Sequence, residues 1–243
     1  MIEFKNVTLA FKKQKALDNV SFTLKGGTIC GVLGRNGAGK TSLFRLLAAY
    51  VRPTSGDARV FGENPYENQR ITQKVALITD MGDEYNSFSV RDTLKLAAAF
   101  RPNWDEGYAQ RLAKRFELPV KKAMSSLSHG QRASVRAVVG LASRCEVTIF
   151  DEAYLGMDAA FRKMFVSAIL DDFTQNPRTI LFSTHFIDEM SKLFNEVLIL
   201  DKGKVAFQGD SDVLRQLRQN SSSATLQDLF IEITGGIDNE GIS

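Results

Sequence analysis

Apolar and polar positions alternate along residues 2–25, first as IEFKNVTLAF and then as VSFTLKGG. A period of two predicts strands with one buried face. An unbroken apolar run at 28–33 is followed by glycines and by a helical pattern from Lys40 to Tyr50, which predicts strand, tight turn and helix. PTSG at 53–56 reads as a turn, ARVFG as a further strand and KVALIT at 74–79 as a buried strand. Residues 90–143 change character: VRDTLKLAAAF, DEGYAQRLAKRFEL and QRASVRAVVGLAS are built of helix formers. Strand signals resume at VTIF (147–150), TILFST (179–184) and VLILDKGKVAFQG (197–209). The expectation is an α/β layer interrupted by an all-helical insert of about 50–60 residues. The tail from Ser221 holds one short amphipathic piece, TLQDLFIEI, before a Gly-rich polar end expected to fray.

Composition narrows the function classes. The chain has 243 residues, ample for a core, and 31 basic against 28 acidic residues leave a net charge of +3. That is no electrostatic footprint for nucleic acid, so no nucleic-acid partner is expected. The two cysteines, Cys30 and Cys145, sit in apolar runs and read as buried free thiols rather than a metal cluster. Charge at Glu3 and Lys5 and the lack of an apolar stretch near the N-terminus argue against a signal peptide. No run approaches 18 uncharged apolar residues, the length of a membrane span.

The glycine cluster is GRNGAGKT, Gly34 to Thr41, which fits G-x-x-x-x-G-K-[ST] directly after a predicted strand and at the start of a predicted helix. Glycines let backbone amides converge on phosphate oxygens, and a helix N-terminus adds partial positive charge. The candidate phosphate contacts are Gly34, Asn36, Gly37, Ala38, Gly39, Lys40, Thr41 and Ser42. Lys40 is the point charge for the β/γ-phosphates, and the Thr41 hydroxyl is a magnesium ligand. VTIFDEA ends an apolar strand in Asp151 and Glu152, at the strand end where open α/β sheets bind ligands. Asp151 is the second magnesium candidate, and Glu152 is placed to polarise an attacking water. Ser128 and Gln131 have the spacing of a capping box, and one of the two histidines, His129, lies inside it.

Taken together, the phosphate loop, LSHGQ, IFDEA and His185 at the end of FSTH resemble the ATP-binding cassette (ABC) ATPases over about residues 2–210. The resemblance implies a P-loop NTPase (RecA-like) α/β core with an antiparallel β subdomain and a helical insert carrying the signature motif. The boundaries expected are 1–79 with 145–215 for the core, 80–144 for the helical part and 216–243 for the tail. It implies ATP and Mg²⁺ as ligands. It also implies that Ser128, Gly130 and Gln131 of LSHGQ face a nucleotide held by a second subunit, that Asp158 makes a cross-dimer contact, that Phe11 stacks on adenine, and that His185 touches the γ-phosphate beside Glu152.

Three positions depart from the family, the smallest being Ala153, which follows Glu152 where the family usually has proline. His129 replaces a glycine, and its side chain is left pointing either away from the phosphate or toward it. Asp80 stands where the family has a glutamine that senses magnesium. A carboxylate there either ligates the metal, slows hydrolysis, or marks a shifted loop. The family implies membrane-spanning partner subunits, a homodimer or a heterodimer with a similar subunit, and a cytoplasmic location on the inner face of the membrane. The tail and the segment FRPNWDEGYAQRLAKRFELP are similar to ATPases of ABC-2-type exporters, which implies export of an antibiotic, antimicrobial peptide or lipid-like cargo. The alternative is a regulatory or non-transport ATP-binding module with weak hydrolysis.

Overall fold

A computed structural model describes residues 1–80, 87–184, 187–213 and 233–234. In chain order its elements are β1 Ile2–Phe11, β2 Gln14–Leu24, β3 Ile29–Leu33, α1 Lys40–Leu47, β4 Ser55–Val60, α2 Gln69–Thr72 and β5 Val75–Thr79. The helical stretch holds α3 Val90–Ala99, α4 Glu106–Arg115 and α5 His129–Ala142. Then come β6 Val147–Asp151, α6 Ala159–Gln175, β7 Thr179–Ser183, α7 Ile187–Met190, β8 Glu196–Asp201 and β9 Lys204–Asp210.

Two sheets form. One is antiparallel, with order β2-β1-β4. The other has order β5-β6-β7-β3-β8-β9, parallel except for β9, which returns antiparallel on β8. Sequence pattern explains the difference. β1 alternates buried and more open positions, whereas β3, β6 and β7 are buried at every residue because both faces of a parallel sheet are covered. The expected antiparallel β subdomain and helical insert are both present.

Local chemistry sets the helix starts. Ser89 Oγ accepts from Asp92 N at 3.1 Å to cap α3, and Asp105 Oδ1 accepts from Tyr108 N at 2.8 Å to cap α4. The three inserted helices share a core with the sheet. Leu112, Phe116, Val138 and Leu141 belong to the same apolar cluster as Phe150, Phe165 and Phe182. Within it Phe150 stacks on Phe182 at 5.0 Å between ring centroids.

Helix α6 carries no clean apolar stripe. Leu170 is exposed at 40% while Asp172 is buried at 3%, because Asp172 pairs with Arg178 at 2.6 Å and with Arg144. The amphipathic tail piece TLQDLFIEI lies outside the described residues except for Ile233, which packs on the larger apolar cluster.

Candidate functional site

The phosphate loop joins the buried end of β3 to the start of α1. Gly39 precedes the helix at φ 109°, and a Cβ there would come within 2.6 Å of Ala16 O. Both the left-handed backbone and the close approach require glycine. Lys40 is 6% exposed, and its ammonium donates to Gly34 O at 2.6 Å and Arg35 O at 3.2 Å. The side chain is thus curled over its own loop. Burial lowers the Lys40 pKa from the ordinary lysine value, and the Glu152 and Asp151 carboxylates oppose that shift.

The next residue ties the loop to the sheet. Thr41 Oγ1 donates to Asp151 Oδ2 at 2.8 Å. The other oxygen, Asp151 Oδ1, accepts from Ser183 Oγ at 2.5 Å, and the same Ser183 oxygen accepts the Glu152 N–H at 3.0 Å. Glu152 itself has φ 52°, a left-handed conformation unusual for a residue with a side chain. The register Asp151↔Ser183 between β6 and β7 produces this chain of contacts. Thr41 and Asp151 offer a hydroxyl and a carboxylate oxygen to one point, a donor set that suits a hard cation such as Mg²⁺. Sequence reading found Thr41, Asp151 and Glu152 but missed Ser183, whose only signal is a polar residue ending the apolar strand TILFS.

A cleft of about 1100 Å³ opens over this point. Its walls include Asn36, Gly37, Gly39, Lys40, Thr41, Ser42, Asp151, Glu152 and Asp80, and it continues along Leu96, Phe100, Val135 and Val139 of the helical insert. Of the other phosphate-loop candidates, Gly34 and Ala38 are buried in the turn, where a Cβ on Gly34 would come within 2.9 Å of Ala38 Cβ. Phe11 stands at the end of β1, beside the hairpin to β2, with 49% of its surface exposed. It is not one of the cleft residues, although Gln14, Lys15 and Ala16 of the same hairpin are.

The signature segment folds as its spacing predicts. Ser128 Oγ accepts from Gln131 N at 3.1 Å, and the Gln131 side-chain oxygen accepts from Ser128 N at 3.1 Å, closing a capping box at the start of α5. Gly130 lies against the turn before α6, where a Cβ would come within 2.7 Å of Gly156 O. Asp158 caps α6 through Phe161 N at 2.9 Å. His185 lies outside the described residues.

Asp80, one of the magnesium candidates, has partners within its own chain. Its Oδ1 accepts from Arg136 Nη2 at 2.6 Å and lies 2.8 Å from His129 Nε2. The guanidinium beside it offsets the negative charge, which is why a carboxylate is tolerated near a phosphate site. The His129 side chain turns to Asp80. Arg136 was missed, and its signal is a position two helical turns after His129.

Comparison with known proteins places this geometry. The family model described as ABC transporter matches residues 17–155. The chain is 26% identical to the ABC transporter ATP-binding protein YtrB of Bacillus subtilis, over 89% of this chain and 74% of that one. It is 28% identical to the bacitracin transport ATP-binding protein BcrA of Bacillus licheniformis, over 94% and 76%. It is also 28% identical to the Fe(3+) ions import ATP-binding protein FbpC 1 of Haemophilus influenzae, over 89% and 67%. A solved structure described as the ATP binding subunit of an ABC transporter superposes with a TM-score of 0.84 at 23% identity, covering 96% of this chain and 99% of that one.

Proposed function

Because the chain belongs to the ABC transporter family of ATPases, we propose that it is the ATP-hydrolysing subunit of an exporter that drives separate membrane-spanning subunits. The observation that carries the hydrolytic part is the chain of contacts Thr41–Asp151–Ser183–Glu152. It joins the phosphate loop to the strand end that bears the candidate base. In this reading the loop amides and Lys40 bind the phosphates of ATP. Thr41 and Asp151 would hold Mg²⁺, which would supply positive charge to offset that of the phosphates. Glu152, set beside the magnesium ligands by its left-handed backbone, takes a proton from the attacking water. Phe11 offers its exposed face to adenine, and His185 contacts the γ-phosphate.

Two ATP molecules are sandwiched between two copies, or between this chain and a similar one, with Ser128, Gly130, Gln131 and Asp158 of each subunit meeting the nucleotide of the other. The start of α5 suits this role, since a capped helix N-terminus attracts anions. Among the described residues no helix is long and apolar enough to cross a membrane. In this reading the subunit works through membrane-spanning partners, and we place it on the inner face of the membrane. On the same reading residues 80–144 are the helical signature subdomain, and the core comprises 1–79 with 145–215. Export rests on the segment FRPNWDEGYAQRLAKRFELP and the tail TLQDLFIEITG, because identity to relatives named for import matches identity to BcrA.

Phosphate release from MgATP, measured with and without the co-expressed membrane subunits, tests the reading. Glu152→Gln is expected to retain ATP binding and to slow release by about 10²–10⁴-fold, the contribution of a positioned base. Rapid hydrolysis by that variant removes Glu152 from the mechanism. Absence of hydrolysis by the wild-type protein under both conditions supports a regulatory module instead.

A further inference from the structure

Asp80 and His129, two of the positions at which the sequence departs from the family it resembles, touch each other. We propose that Asp80 is a positioning residue: with His129 and Arg136 it forms a strut that fixes the signature turn against the end of the strand beside the hydrolytic carboxylates. The proposal rests on the transporter-ATPase reading for its consequence in turnover and on geometry alone for the strut.

One carboxylate oxygen, Asp80 Oδ1, faces two donors of α5, Arg136 Nη2 at 2.6 Å and His129 Nε2 at 2.8 Å. An ionised carboxylate only accepts, so Nε2 carries the imidazole proton. His129 and Arg136 are seven residues apart, two turns along one face of α5, so one carboxylate reaches both. The Arg136 side chain is 16% exposed, that of Asp80 32% and that of His129 47%, so the ion pair is half-buried while the imidazole keeps part of its surface in solvent. The other edge of the imidazole fills the space over Gly156. A Cβ at that glycine, φ 85°, would come within 2.2 Å of His129 Nδ1. His129 is therefore wedged between the residue after β5 and the turn that leads to Asp158.

Position turns this contact into a mechanical link. Thr79, the residue before Asp80, pairs with Asp151 across β5 and β6. At the other end His129 lies between Ser128 and Gly130, the groups that reach the partner subunit's nucleotide in the proposed dimer. A strut between these points couples the carboxylates at one nucleotide to the signature turn at the other. It also accounts for a charged residue at position 80 without a metal: the carboxylate is held by a cation of its own chain.

The test is a double-mutant cycle on the full chain with its membrane partners, comparing wild type, Asp80→Asn, His129→Ala and the double variant. Each single change is expected to lower kcat about tenfold, the loss that about 1.4 kcal/mol of misplaced transition-state contact produces. ATP affinity and the Mg²⁺ concentration for half-maximal rate stay unchanged, since the nucleotide is held by the phosphate loop. The double variant is no slower than the slower single one. Losses that multiply in the double variant overturn the strut. So does a raised Mg²⁺ requirement in Asp80→Asn that His129→Ala does not share, which would place Asp80 at the metal. The chain has two histidines, so ¹⁵N imidazole spectra give a second readout independent of turnover. Asp80→Asn must move one histidine signal and leave the other in place. If the wild-type protein releases no phosphate, the ATPase reading fails, and the strut stands or falls on that spectrum: two unmoved signals overturn it.

Discussion

The Ser183 hydroxyl donates to Asp151 Oδ1 at 2.5 Å and accepts the Glu152 N–H at 3.0 Å, so one fully buried oxygen orients both acidic residues of the site. Ser183→Ala removes a donor to a buried carboxylate and orphans a backbone N–H. The expected cost is about 1–3 kcal/mol of stability, the penalty for unsatisfied buried groups. Turnover falls more than ATP binding does, because the loop that holds the phosphates is untouched. Urea unfolding and steady-state kinetics of the variant check both parts. A variant with unaltered kcat would show that Glu152 is oriented without Ser183.

Gly39→Ala places a Cβ within 2.6 Å of Ala16 O and 2.8 Å of Leu17 Cδ2, on a backbone at φ 109°. Strain of about 1–3 kcal/mol follows from the φ value alone, and the clash with a backbone carbonyl cannot be relieved by a rotamer change. Loss of nucleotide binding by calorimetry, together with a lower melting temperature, is the expected result. A variant that binds ATP as wild type does would mean that the loop tolerates a shifted helix start.

Lys40→Ala removes the ammonium that bonds Gly34 O and Arg35 O. The loop loses its internal tie as well as its charge for phosphate. ATP binding is expected to fall below detection by calorimetry, while urea unfolding stays cooperative. Tight binding by this variant would refute the phosphate-loop assignment.

Asp105 links pH to the stability of the helical insert. Its capping bond from Tyr108 N, and then its bonds from Arg144, hold its pKa below the ordinary value of 3.8. A carboxyl with a depressed folded pKa contributes stability above its unfolded pKa, and that contribution is lost as pH falls through the folded pKa. Asp105→Ala should therefore cost about 0.5–2 kcal/mol at neutral pH, the usual worth of such a cap. The difference from wild type should shrink as pH falls below the ordinary aspartate value. Urea midpoints across that range provide the measurement, and a difference constant with pH would exclude Asp105 as the source.

Much of the site was legible because its signals are local. Gly34–Thr41 announces a phosphate loop through the spacing of eight consecutive residues, and Ser128–Gln131 announces a capping box through a spacing of three. VTIF leading into Asp151 marks a buried strand with acids at its end. Each depends on backbone geometry that neighbours in sequence impose on one another, so the chain alone determines it. Helix α6 escaped the periodicity reading because its buried Asp172 and exposed Leu170 break the apolar stripe.

Contacts between distant segments belong to the tertiary structure. Ser183 meets Asp151 across 32 residues, His129 meets Asp80 across 49, and Arg136 meets Asp80 across 56. No local preference encodes such a meeting. It follows from the order of β5, β6 and β7 in the sheet and from the docking of α5 beside them. The sequence by itself determined the glycine spacing of the Gly34–Thr41 loop and the capping box of α5. Only the packed sheet decided that Asp80 faces a histidine and an arginine of α5, because a carboxylate takes its role from whichever charges the fold brings within hydrogen-bonding distance.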